Sequence, residues 1–182
     1  MIQAIGLVEF ISIAKGIEAA DIMLKASLVD LLEAKPICPG KYIVLVCGDV
    51  SAVENAVEAG KNVGSTAVVD DFVLANVHSS VIKAISATTA ATEVVALGII
   101  ETYSIASLIV AADIAAKAGD VELIEIRVAM GIGGKSFVTL TGDVGSVKAA
   151  IEAGSASVSE KGMLVEKVVI PSPHKSLKKT LL

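Results

Sequence analysis

Apolar and polar positions follow two periods along the chain, a short one that predicts strands and a longer one that predicts helices. The apolar run QAIGLVEF leads through Ser12, a good helix N-cap, into an alanine-rich segment that ends near Lys25. Two strand-like runs follow as a hairpin, VDLLEAKPI and KYIVLVCGD. Behind Asp49, a second candidate N-cap, valines recur at helical spacing. A last strand, AVVDDFVLANV, and a short helical tail complete the unit.

This order of elements is written twice. Residues 4–37 align without gaps on residues 96–129, with 16 identities in 34 positions. After a two-residue insertion, residues 40–60 match residues 134–154 with 11 identities in 21. An internal repeat of this length indicates two similar domains in tandem.

The repeat predicts a first domain over residues 1–88, a linker over 89–95 within the small-residue segment SATTAATEVV, and a second domain over 96–182. The order strand-helix-strand-strand-helix-strand predicts an α+β sandwich, in which helices pack on one face of an antiparallel or mixed sheet. Domains of about 85 residues are small, so burying a face against the other copy or another chain would stabilise them.

The composition indicates association between subunits. The chain has 182 residues, 54% of them hydrophobic, and its mean hydropathy of +0.76 is high. No charge-free stretch exceeds 11 residues (72–82 and 102–112), whereas about 20 are needed to span a bilayer. We therefore expect apolar surface to be buried between subunits.

Charge and cysteine content narrow the class of protein further. The N-terminus has no basic segment and Glu9 interrupts its apolar run, so we expect no signal peptide and a cytoplasmic location. Two cysteines in that setting favour free thiols or metal ligation over a disulfide. The net charge of −5, with no basic cluster beyond the tail KSLKK, indicates no nucleic-acid partner.

The second copy contains AMGIGGKS (129–136), which fits a relaxed phosphate-loop pattern with Ala129 in the first glycine position. That pattern binds phosphate only where a helix follows the loop. The residues after Lys135, SFVTLTGD, predict a strand, and the first copy has PICPGKY at the same point. We interpret the segment as a strand-to-strand turn, with a nucleotide-binding enzyme as the alternative.

Two acid–lysine pairs occupy equivalent positions of the two copies. Asp21 and Lys25 are four residues apart, as are Asp113 and Lys117. An exposed helix pair of this kind contributes only about 0.3–0.5 kcal/mol. The alternative is a contact edge for neighbouring molecules, and the residues alone leave both open.

The histidines and one cysteine favour structural roles. His78 and His174 each follow the last strand of their copy, and the residues around them lack the spacing of metal ligands, which favours a turn or surface role. Cys47 lies within a predicted strand with Thr141 as its counterpart, so we expect a small buried hydrophobe there.

Cys38 differs because it lies on a loop between Pro36 and Pro39, with Gly40 completing the turn. Its counterpart near Ile132 offers no ligand, so one chain holds only part of a metal site. Three chains around a threefold axis would supply three thiolates to one iron–sulfur cluster. A free loop thiol is the alternative that the residues alone favour.

The duplicated units share a set of short motifs. They begin AIGLVE and ALGIIE, carry Ala-Ala-Asp and then lysine in the first helix, end a loop with Gly-Lys, and place Gly-Asp-Val before the second helix. In these motifs the units resemble the shell domain of bacterial microcompartments. Two unpermuted units, with ICPGK in the first loop and GIGGK in the second, are similar to a tandem-domain subgroup of that family. The similarity covers nearly the whole chain.

The resemblance implies a structural protein that is not an enzyme, located in the shell of a cytoplasmic microcompartment. It implies a homotrimer whose six domains form a pseudohexameric tile, packed edge to edge with other shell proteins. It further implies a four-iron four-sulfur cluster bound by Cys38 of three subunits, for transfer of electrons or of the cluster across the shell. Redox enzymes are implied partners, whereas nucleic acid and membrane are not. A plain tile with a small-molecule pore and no cluster is the alternative.

The resemblance also assigns residues to the central pore and to the tile edge. The implied pore-loop residues are Pro36, Ile37, Pro39, Gly40, Gly131, Ile132, Gly133 and Gly134. The implied tile-edge residues are Lys25, Lys117, His78 and His174. Many relatives carry arginine in the Pro-x-Pro-His segment, whereas this chain has Ser172 there and reads Ala-Asn-Val-His in the first copy, so an edge contact through that arginine is not expected.

Overall fold

The structure, a computed structural model, describes residues 3–89, 91–128, 131 and 133–181. By their contacts these residues form two compact units. The first unit runs to Val77 and includes the described part of 129–134, and the second comprises 78–128 and 135–182 as far as they are described. In the part of the chain that the structure describes, no helix combines the length and the apolar character that crossing a bilayer requires.

The first unit contains one antiparallel sheet and two longer helices. Its elements are β1 (Ala4–Phe10), α1 (Ile13–Ala26), β2 (Asp30–Ile37), β3 (Lys41–Gly48), α2 (Val50–Gly64), a 3-10 turn (Ser65–Ala67) and β4 (Val68–Ala75). The strand order is β2-β3-β1-β4. Helix α1 begins where the sequence predicts, because the Ser12 hydroxyl accepts a hydrogen bond from the Lys15 backbone N–H.

The second unit repeats this arrangement after one additional short helix. Its elements are α3 (Ser79–Ile85), β5 (Ala96–Thr102), α4 (Ile105–Ala118), β6 (Val121–Val128), β7 (Ser136–Gly142), α5 (Val144–Glu160), β8 (Leu164–Ile170) and α6 (Lys175–Lys178). The sheet is again antiparallel, in the order β6-β7-β5-β8. The predicted α+β fold and element order are confirmed.

The core of the first unit lies between the sheet and its two helices. Strand β1 is central and pairs with both β3 and β4, and all seven of its residues are buried. Val8 and Phe10 pack in one cluster with Met23 of α1 and Val57 of α2. The alternation of side chains along β1 directs these residues to the helical side. The central strand thereby provides a rigid base for the β2–β3 hairpin.

Helix α3 belongs to the second unit by contact, although the repeat assigns it to the first copy. It packs against α4 and β6, and its residues Val81 and Ala84 are buried. The carboxylate of Asp113 accepts a hydrogen bond from the His78 backbone N–H at 2.7 Å. The domain bounds 1–88, 89–95 and 96–182 stay predictions from the repeat.

Candidate functional site

Cys38 lies on the tight turn that joins β2 to β3. Because β2 ends at Ile37 and β3 begins at Lys41, residues 38–40 form this segment, here called the Cys38 turn. The Gly40 backbone N–H donates to the Ile37 carbonyl at 2.9 Å, and Gly40 has a φ of +95°. A glycine is favoured at such an angle because it has no Cβ. The Cys38–Pro39 peptide bond is cis.

Two of the predicted pore-loop residues lie in strand rather than in the turn itself. Pro36 and Ile37 are the last residues of β2 and pair with Tyr42 and Lys41 of β3. Strand β2 is at the edge of its sheet, where a residue without an N–H is tolerated. Ile37 is buried. Pairing with β3 thus anchors the N-terminal end of the Cys38 turn.

Among the described glycines of the second loop, Gly134 lies beside the Cys38 turn. Gly131, Gly133 and Gly134 all have positive φ angles. A Cβ on Gly134 would come within 2.7 Å of Pro39 Cδ and 3.2 Å of the Cys38 carbonyl oxygen, so only glycine permits this approach. The predicted pore residue Ile132 lies outside the described residues, as do Ala129 and Met130.

A strand follows the glycine-rich loop, as the sequence predicts. Strand β7 begins at Ser136, directly after Lys135, where a phosphate-binding loop would open a helix. The Lys135 ammonium instead pairs with Glu101 of β5 at 2.8 Å. Its hydrogen bond and charge interaction with Glu101 raise the pKa of Lys135. The segment AMGIGGKS thus lacks the structural context of a nucleotide site.

The sequence reasoning missed the ion pairs that anchor the two turns. In the first copy Lys41, at the start of β3, pairs with Glu9 of β1 at 2.7 Å. Lys135 and Glu101 are the equivalent pair in the second copy. The repeat contained the signal for these pairs, because both copies have a glutamate late in the first strand and Gly-Lys after the loop. Each pair ties the base of its turn to the central strand.

The two cysteines differ in their suitability as metal ligands. Cys38 is a half-buried free thiol, whereas Cys47 is a buried free thiol. Burial, and to a smaller extent the negative charge of Asp30, raises the pKa of Cys47, which disfavours its thiolate. Within the described ranges no cluster of three or more histidine, cysteine or acidic side chains is arranged to hold a metal ion. One chain therefore offers a single accessible thiol at the Cys38 turn.

The predicted edge lysines have different surroundings in the two copies. Lys25 pairs with Asp21 at 2.6 Å, and both side chains are largely exposed. Lys117 pairs with Asp113, also at 2.6 Å, but Asp113 is buried and also binds the His78 backbone N–H. Both ammonium groups remain accessible to a neighbouring molecule.

The predicted edge histidines serve as N-caps of short helices. The His78 Nδ1 accepts from the Ser80 backbone N–H at 3.4 Å, at the start of α3. The His174 Nδ1 accepts from the Ser176 backbone N–H at 3.2 Å, at the start of α6. Because the two histidines cap their helices in the same way, the structural repeat continues beyond the last strand of each copy.

The duplicated β-α-β-β-α-β fold, with the Cys38 turn and the glycine-rich loop at equivalent hairpins, defines the class of protein. The family model described as the BMC domain matches residues 4–77 and again residues 96–173. The chain belongs to the BMC domain family, with two domains in tandem, and the resemblance read from its sequence is confirmed.

Individual relatives agree with this assignment. The chain is 48% identical over 177 residues to the bacterial microcompartment shell protein PduT of Citrobacter freundii, covering 97% of this chain and 96% of the relative. It is 43% identical over 82 residues to the shell protein EutM of Salmonella typhimurium, covering 45% of this chain and 83% of that protein. A crystal structure of a microcompartment protein from Desulfitobacterium hafniense DCB matches with a TM-score of 0.90 and 67% identity, covering 98% of this chain and 99% of that one.

Proposed function

We propose that this chain is a structural shell protein of a bacterial microcompartment and that three copies form a ring-shaped pseudohexameric tile. The similarity to PduT over nearly the full length of both proteins supports the shell role. In this role the chain is not an enzyme, and it lies in the shell of a compartment within the cytoplasm. The ring rests on one observation, a difference in burial between the two repeats.

The first repeat exposes an apolar surface that the second repeat buries. Ile17 on α1 is 55% exposed, whereas its counterpart Ile109 on α4 is 1% exposed. Ile13 and Ile105 differ in the same direction. The central strands differ in the other direction at one pair of counterparts, since Glu9 of β1 is buried and Glu101 of β5 is partly exposed.

An apolar surface that is open in one repeat and covered in the other suits a head-to-tail contact between identical chains. The open helix of one chain has a fitting neighbour in the second repeat of the next chain, since the two repeats share one fold. Such heterologous contacts close into a ring when the rotation allows it, and three two-domain chains provide six equivalent positions. Burial of Ile13 and Ile17 in the ring is the kind of subunit contact that the high mean hydropathy predicts.

The oligomeric state is tested by sedimentation equilibrium and native mass spectrometry. We expect one species at three times the chain mass of 18.5 kDa. Ile17→Glu places a charge in the proposed contact and should produce monomers, whereas Asn62→Glu, on an exposed position of α2, should not. A parent protein that stays monomeric at every concentration would contradict the tile.

For the pore, we propose that three Cys38 thiolates hold one four-iron four-sulfur cluster on the threefold axis. The accessible thiol, the absence of a second ligand beside it in the described residues, and the buried, unreactive Cys47 are consistent with a site shared between chains. The Cys38 turn would orient the thiolate, with Gly134 packed behind it and the Lys41–Glu9 pair at its base. When bound, such a cluster supplies one-electron transfer.

Electrons, or the cluster itself, would then pass across the shell to enclosed or cytosolic redox enzymes. Anaerobic purification followed by iron and sulfide analysis tests the site. We expect about four of each per trimer, lost in Cys38→Ser and retained in Cys47→Ser, which changes the other cysteine only. A parent protein without iron, with normal tiles, would favour the alternative of a plain small-molecule pore.

Lys25 and Lys117 are proposed to contact neighbouring tiles, since both ammonium groups are exposed at equivalent helix ends. The double variant Lys25→Glu with Lys117→Glu should abolish sheets in electron micrographs while trimers remain. Lys148→Glu, a charge reversal on the exposed surface of α5, is the control. Sheets as regular as those of the parent in the double variant would refute the contact.

A further inference from the structure

The second unit shows how a segment that follows the last strand of a repeat docks on a helix and a strand. After β4, the His78 backbone N–H donates to Asp113 of α4 at 2.7 Å. Helix α3 then packs on α4 and β6, with Val81 and Ala84 fully buried. The Thr89 hydroxyl donates to the Ile124 carbonyl of β6 at 2.7 Å and extends the contact.

The equivalent surface of the first unit is exposed. It consists of Asp21 on α1 with Leu31 and Leu32 on β2, and is called here the tail-binding surface. Asp21 is 61% and Leu31 44% exposed. Their repeat counterparts, Asp113 and Leu123, are 2% and 0% exposed. Asp21 Oδ2 accepts a hydrogen bond from Lys25, and among the described residues nothing donates to Asp21 Oδ1. In the second unit the equivalent atom, Asp113 Oδ1, accepts from the His78 backbone N–H.

The segment that matches α3 is the tail of the chain, His174 with α6. His174 caps α6 through Nδ1 as His78 caps α3. Leu177, the counterpart of the buried Val81, is 40% exposed. Leu181 packs on the Val94–Leu97–Ile124 cluster, so the tail belongs to the second unit by its contacts.

We propose that the tail of one chain docks on the tail-binding surface of a second copy of this chain. The His174 backbone N–H donates to Asp21 of the second copy, and Leu177 packs on its Leu31 and Leu32. The partner is a second copy because its first unit has the same fold as the unit that already binds α3, with an aspartate and two apolar residues at matching positions. The inference rests on the proposed trimer, in which every chain gives one tail and receives one.

The test uses Asp21→Ala, Leu177→Asp and the double variant, with association measured by sedimentation over a range of protein concentrations. Each single change should raise the dissociation constant by about tenfold or more, because a hydrogen bond to a charged group or an apolar contact is lost. The dissociation constant of the double variant should rise by less than the product of the two single-variant increases, since both residues act in one contact. Both positions are exposed, so circular dichroism should show unchanged folding. Lys179→Ala, exposed on the same tail, is the control.

The outcomes separate this inference from the tile itself. If the parent is a trimer and the single variants dissociate at the same concentration as the parent, the docking is wrong and the tile stands. If the parent is a monomer at every concentration, both fail. A trimer that is weakened by Asp21→Ala and Leu177→Asp, but not by Lys179→Ala, supports the docking.

Discussion

Lys41→Met removes the cation beside Glu9, a carboxylate only 1% exposed, while keeping an apolar side chain of similar length. The matched change Lys135→Met removes the same contact from the second repeat, where Glu101 is 30% exposed. The two variants therefore compare one interaction in two environments. Water solvates the carboxylate left behind in the second repeat, but not the one left behind in the first.

The structure sets the size of the difference. Removing one partner of a buried ion pair costs about 3–5 kcal/mol, and the lower end applies here because Lys41 is partly exposed and Glu9 has further interactions. For a chain of this size about 1 kcal/mol corresponds to about 2–4 °C, so the Tm of Lys41→Met should fall by about 6–12 °C. Exposed pairs contribute little, and the Tm of Lys135→Met should stay within about 2 °C of the parent.

Differential scanning calorimetry at pH 7 measures both changes. All samples need the same protein concentration, because association shifts the apparent Tm. Equal losses of Tm in the two variants, or a larger loss in Lys135→Met, would show that burial does not determine the strength of these pairs. Glu9→Gln with Lys41→Met then tests whether the isolated charge is the cause, since the doubly neutral pair should recover part of the lost stability.

Two further predictions concern a helix cap and the Cys38 turn. Asp143→Ala should lower the Tm at pH 7 more than Asp49→Ala, because only Asp143 makes side-chain cap hydrogen bonds. Hydrogen bonds from the Ser146 hydroxyl and backbone lower the pKa of Asp143 below 3.8. Its stabilisation is therefore present above that value and lost as pH falls through the folded pKa, so the difference should narrow in melts at progressively lower pH. Gly134→Ala would place a Cβ 2.7 Å from Pro39 Cδ and should reduce iron and sulfide in anaerobic preparations; unchanged content would show that Gly134 does not position the turn.

Sequence reasoning was most accurate where the determinants are local. The repeat, the element order and the cap at Ser12 follow from neighbouring residues and are confirmed. The turn at Cys38 was predicted from its flanking residues, and the positive φ of Gly40 agrees. Asp49 was predicted as an N-cap, yet its side chain makes no cap hydrogen bond, whereas its repeat counterpart Asp143 does.

The amino-acid sequence alone determined that each half folds as the same sheet-and-helix unit, because hydrophobic period, caps and turn residues act over a few positions. Tertiary structure alone decided how the two halves differ. Only the three-dimensional neighbours show that Glu9 is buried and Glu101 is not, or that Asp113 binds a docked segment while Asp21 is open. Burial depends on residues distant in the chain, so two nearly identical local patterns acquire different environments.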